Sequence, residues 1–121
     1  MKFPRPIPAP KPGEPEADIE QYVSDKALEW FGLPNVKLNL QGRRGWPDRI
    51  YWLPEGRPLL IEYKRPGKEA RALQGEVHAM LVKLGYDVHV CDNREDALQH
   101  IVNALGATAL GRKLLARSQR R

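Results

Sequence analysis

A single cysteine, Cys91, in 121 residues excludes an internal disulfide framework and fits a reducing compartment. Long apolar runs are missing as well. Nothing approaches the roughly 20 residues that a membrane helix needs, and prolines near the start break any signal-peptide core. A soluble, cytoplasmic protein with no membrane partner is expected. No internal repeat is present, and the three histidines, His78, His89 and His100, recur every eleven residues, a spacing without metal-binding logic on the elements that carry them. No Cys/His zinc pattern is expected either. This length suits one domain with one core.

What is plentiful is positive charge, and its distribution matters more than its total. Of the net +5, residues 1–15 carry three basic residues and one acid, while residues 106–121 carry Arg112, Lys113, Arg117, Arg120 and Arg121 with no acid. Residues 16–105 therefore hold twelve basic and fourteen acidic residues. Within that middle, Arg43, Arg44 and Arg49 surround Asp48, and Arg65 and Lys68 follow Glu62. Such local enrichment is what phosphate neutralisation requires.

Six prolines in residues 1–15 predict an extended, flexible tail outside the core. From Glu16 to Phe31, the spacing of Ile19, Tyr22, Val23, Ala27, Trp30 and Phe31 predicts a helix ended by Gly32 and Pro34. Alternation of Val36, Leu38 and Leu40 predicts a first strand, and Leu73, Val77, Met80, Leu81 and Leu84 predict a helix over residues 70–84. Tyr86, Val88 and Val90 predict a strand, followed by a helix over residues 94–105 capped from Asp92-Asn93. Residues 106–121 read as a short helix or as disordered chain. The order implies an α/β fold with a mixed central sheet flanked by helices.

Chemistry concentrates in one hairpin. Gly42-Arg43-Arg44-Gly45-Trp46-Pro47-Asp48 leads into Arg49–Leu53, a turn at Pro54-Glu55-Gly56-Arg57, and the apolar run Leu59-Leu60-Ile61 before Glu62-Tyr63-Lys64. Folding about residues 55 and 56 sets Asp48 opposite Glu62 or Tyr63, so two carboxylates and an ammonium gather at one end of the sheet. A Mg²⁺-type cation takes oxygen ligands, and Asp48, Glu62 and a backbone carbonyl near Tyr63 suit it. Lys64 is placed to orient a water or to neutralise phosphate oxygens. On the first helix, Glu16 and Glu20 both lie on the stripe that faces the sheet.

These motifs, with Gln74 and the later Leu84-Gly85-Tyr86-Asp87-Val88, resemble the VRR-NUC domain, a branch of the PD-(D/E)XK nucleases, over residues 16 to 102. The resemblance implies an αβββαβα restriction-endonuclease-like core and a Mg²⁺- or Mn²⁺-dependent DNA endonuclease. Asp48, Glu62 and Lys64 match its signature. It also implies a first-helix acid, for which Glu20 is favoured over Glu16, and the helix glutamine Gln74. Arg43, Arg44, Arg49, Arg65 and Lys68 would then meet DNA. Trp46 before Pro-Asp and Tyr63 between Glu and Lys depart from the usual residues. Relatives of this kind act on branched DNA such as Holliday junctions or flaps as homodimers; the alternative is a non-catalytic or partner-activated DNA-binding module of the same fold.

Overall fold

Alternation along the hairpin decides which residues form the core. In the computed structural model, which describes residues 3–39, 44–68 and 72–120 (backbone only for 72–74), Tyr51, Leu53, Leu59, Ile61 and Tyr63 turn to one sheet face. There they pack with Ile19, Val23, Ala27, Leu98 and Ile101. The elements run α1 (Glu16–Phe31), β1 (Asn35–Lys37), β2 (Arg49–Leu53), a single 3₁₀ turn (Pro54–Gly56), β3 (Arg57–Tyr63), α2 (Ala72–Lys83), β4 (Asp87–Cys91), α3 (Arg94–Gly106) and α4 (Ala109–Ser118). The expected αβββαβα order is present, extended by a helix.

The sheet order is β1-β2-β3-β4, with the first two pairings antiparallel and β4 parallel to β3. Leu53 pairs with Arg57 and Arg49 with Ile61, so the hairpin centres on Glu55 rather than between residues 55 and 56. One step beyond the last registered pair, Asp48 falls opposite Glu62. Glu55 and Gly56 both take left-handed backbone, φ 62° and 70°. A glycine accepts that conformation freely, a glutamate at some cost.

Helix α1 buries Ile19, Glu20, Val23, Ala27, Trp30 and Phe31 and stops where Gly32 turns left-handed, with Leu33 N donating to Ala27 O at 3.1 Å. The first strand is shorter than its alternation predicts, and Leu40 lies outside the described residues. Residues 3–13 have no helix or strand, as the prolines predict, yet they are not a tail standing clear of the core. Phe3 and Ile7 pack against it, Phe3 stacks on Trp30 with centroids 6.4 Å apart, and buried Glu14 meets the Arg94 guanidinium. Hydrophobic side chains spaced among prolines carry no periodic signal, which is why sequence alone misses them.

The basic segment after Gly106 folds as α4 and sets Leu114 and Leu115 against the core. Thr108 caps it by accepting from Gly111 N at 3.0 Å. Gly111 sits where α4 crosses the end of α3; a Cβ there would lie 2.0 Å from Leu105 O. On the opposite sheet face, α2 covers the strands incompletely. Ile50, Trp52, Leu60, Met80, Leu84 and Tyr86 line an apolar groove of about 450 Å³. Trp30 and Phe31 are core, so Trp46 and Trp52 are the tryptophans left at the surface.

Candidate active site

The hairpin register brings the Pro-Asp and Glu-x-Lys motifs to one end of the sheet. Pro47 is buried and delivers Asp48 at the mouth of β2, where its Oδ2 accepts from Tyr63 N at 2.7 Å and its carbonyl accepts from Leu38 N at 2.7 Å. Asp48 is thus fixed to both neighbouring strands. Partial burial pushes its carboxyl above the ordinary 3.8; the Tyr63 N–H opposes the shift, and the Glu20 charge adds to it. A half-buried acid crowded by other acids favours a cation beside it.

Glu62 is buried on β3, and its Oε2 lies 3.0 Å from Lys64 Nζ. Lys64 N donates to Cys91 O at 2.9 Å, which ties the residue after β3 to the end of β4. On α2, burial and the Lys64 charge hold His78 below its ordinary pKa, and its Nε2 is buried without a hydrogen-bond partner among the described residues. Gln74 lies on the same helix by its backbone, with its side chain outside the described residues.

Of the two candidate glutamates on α1, Glu20 is buried and Glu16 exposed. Glu20 Oε1 lies 3.0 Å from Lys37 Nζ, and its Oε2 lies 2.9 Å from Arg49 Nε. Arg49 also donates to Asn35 Oδ1 at 2.8 Å. The arginine expected to face DNA therefore points inward and braces α1 against β1 and β2. Sequence reading missed Lys37 and Asn35 because both act across non-local contacts; only their polar positions on a short strand hinted at them. Arg44, Arg65 and Lys68 are exposed, and Arg43 lies outside the described residues.

The carboxylates of Glu20, Asp48 and Glu62 do not close to mutual ligand distance among the described residues. Glu20 and Glu62 lean on ammonium and guanidinium groups instead. The donor set still fits a hard divalent cation. Asp48 and Glu62 are carboxylates on adjoining strands, with the Tyr63 peptide between them and a third acid crowding Asp48. Tyr63 itself turns away into the core, where its hydroxyl meets that of Tyr51 at 2.5 Å. This pairing explains why a tyrosine is tolerated between Glu62 and Lys64. Burial raises both phenols well above their ordinary range.

The loop after β3 is also anchored. Gly67 N donates to Asp92 Oδ2 at 2.9 Å, which holds the Asp92 carboxyl below its usual range and sets the segment carrying Arg65 and Lys68 beside the end of β4.

Comparison with known proteins places the chain within one family. The VRR-NUC domain model matches residues 14–95. A curated relative, "Putative nuclease p44" of Acyrthosiphon pisum secondary endosymbiont phage 1, is 35% identical over 80 residues, covering 66% of this chain and 85% of the relative. A solved structure described as a VRR_NUC domain superposes with a TM-score of 0.64 at 26% identity, over 71% of this chain and 92% of that one.

Proposed function

Because the chain belongs to the VRR-NUC family and is a nuclease by that membership, we propose that it is a Mg²⁺- or Mn²⁺-dependent endonuclease that hydrolyses DNA phosphodiesters, with branched DNA such as Holliday junctions or flaps as substrate. The observation that carries this reading is the register that sets Asp48 opposite Glu62, with the Lys64 ammonium 3.0 Å from Glu62.

Asp48 and Glu62 would hold the ion through carboxylate oxygens, with the Tyr63 carbonyl as a third donor and Glu20 as the acid that α1 brings beside Asp48. When bound, a divalent ion supplies charge stabilisation at phosphorus and lowers the pKa of a bound water. Lys64 neutralises a phosphate oxygen or orients the attacking water. Arg44, Arg65 and Lys68 are exposed cations that suit the flanking phosphates. A homodimer belongs to the same proposal, since paired cuts across a junction need two sites related by a two-fold axis.

The test is cleavage of duplex, flap, splayed and four-way DNA by purified protein with Mg²⁺ or Mn²⁺, alongside Asp48→Asn and Glu62→Gln. Metal-dependent cutting of the branched substrates, lost in both variants, is expected. Equal cutting by wild type and variants would overturn the assignment. Sedimentation at working concentration reads out the dimer.

A further inference from the structure

From the juxtaposition of Cys91, Asp96 and His100, we propose that the chain carries a second metal site, a zinc site of thiolate, carboxylate and imidazole at the outer edge of the sheet. Ligand atoms of these three side chains lie within 4.8 Å of one another. The topology explains the grouping. Cys91 ends β4, the edge strand, and points to the face that α3 covers. Asp96 and His100 are four residues apart on α3 and so share one stripe facing that strand.

The separations suit a tetrahedral ion. Bonds of about 2.0 Å to nitrogen or oxygen and 2.3 Å to sulfur place ligand atoms roughly 3.3–3.8 Å apart. His100 Nε2 already lies 3.7 Å from Asp96 Oδ1, and the Cys91 thiol shares a hydrogen bond with Asp96. Asp96 is exposed and His100 half-buried, so closing the remaining distance takes only side-chain rotations at the surface. On binding, the thiol proton passes to solvent and the sulfur becomes the anionic ligand.

His89 completes the setting. It lies on β4 two residues before Cys91, stacks on the His100 ring with centroids 3.7 Å apart, and is itself held by Asp87 Oδ1 at 2.5 Å. The stack fixes the plane of His100, as groups behind a metal ligand commonly do. A soft sulfur donor beside imidazole selects zinc over magnesium, so this site and the oxygen-rich Asp48–Glu62 cluster would not compete for the same ion. Regular histidine spacing in the sequence conceals the arrangement. The ligands lie five and four residues apart across a strand–helix junction, and their proximity exists only once β4 and α3 pack. An ion there would clip α3 to β4, whose Cys91 carbonyl also receives the amide of Lys64.

Cobalt titration is the direct test, since Co²⁺ bound to a thiolate gives a near-ultraviolet charge-transfer band that an all-oxygen site cannot produce. Wild type and Asp48→Asn are expected to show the band, with a single Co²⁺ per chain in Asp48→Asn, displaced by Zn²⁺, and Cys91→Ser to lose it. Because Cys91 is buried, the surface variants Asp96→Ala and His100→Ala provide a second arm. Both should bind Co²⁺ more weakly than wild type and lose the rise in melting temperature that Zn²⁺ gives to Asp48→Asn. Absence of the band in wild type with excess Co²⁺, its persistence in Cys91→Ser, or unchanged affinity in both surface variants would overturn the site.

Discussion

Asp48 illustrates how a proposed metal ligand works against the fold that holds it. Its carboxyl is raised above the ordinary 3.8 mainly by burial. Ionised Asp48 therefore costs stability at neutral pH, and that cost fades as pH falls through the raised folded value toward the unfolded one. Asp48→Asn keeps an acceptor for Tyr63 N and removes the charge. It is expected to melt higher than wild type near pH 7 and at the same temperature as wild type near pH 3, while losing cleavage; thermal melts at the two pH values measure this. Lys64 makes the opposite prediction. Lys64→Ala should keep DNA affinity and lose about 100-fold or more in turnover, read by single-turnover kinetics against binding. Beneath both, Tyr63→Phe leaves the buried Tyr51 hydroxyl without its partner and should cost about 1–3 kcal/mol. The Tyr51→Phe, Tyr63→Phe double variant should recover part of that loss, measured by denaturant unfolding.

Hairpin, crossover and helices were legible because their signals are local. The run Arg49–Leu53, a Pro-Glu-Gly turn and Arg57–Tyr63 announces a hairpin, and Asn93 caps α3 as its position before the helix suggests, accepting from Asp96 N at 2.8 Å. The packing of α4 was not legible, since its apolar positions are few among basic residues and its need for Gly111 comes from the neighbouring helix. Gly111→Ala drives a methyl into Leu105 O and should cost about 1–3 kcal/mol by denaturant unfolding, even though alanine is the better helix former. In the candidate site, Asp48, Glu62 and Lys64 could be read from their spacing. The partners that restrain Glu20 could not. Lys37 and Arg49 lie 17 and 29 residues away and meet it only through packing of α1 on the sheet.

The charge map of the folded molecule separates two basic regions that composition adds together. Arg44, Arg65 and Lys68 stand exposed near the Asp48–Glu62 end of the sheet. Helix α4 lies against the turn at Pro54–Gly56, at the far end of the hairpin, roughly 20 Å away along β3. Its exposed Arg112, Lys113 and Arg117, with Arg120 just beyond its end, would therefore meet a different stretch of nucleic acid. Changing Arg44, Arg65 and Lys68 to Gln should reduce the salt dependence of DNA binding by about 0.9 in log–log slope per lost phosphate contact. Neutralising these four C-terminal cations should leave the slope on a short duplex nearly intact and lower it only on longer DNA; fluorescence anisotropy across a salt series distinguishes the two. Truncating α4 would not be an equivalent experiment, because Leu114 and Leu115 cover the core.

The left-handed Glu55 and Gly56 make the hairpin turn a length gauge for the proposed metal centre. Lengthening it by a single residue would slide β3 past β2 and present Asp48 with Ile61 or Tyr63, both of which point into the core, so parity in a distant bend determines whether the two acids meet.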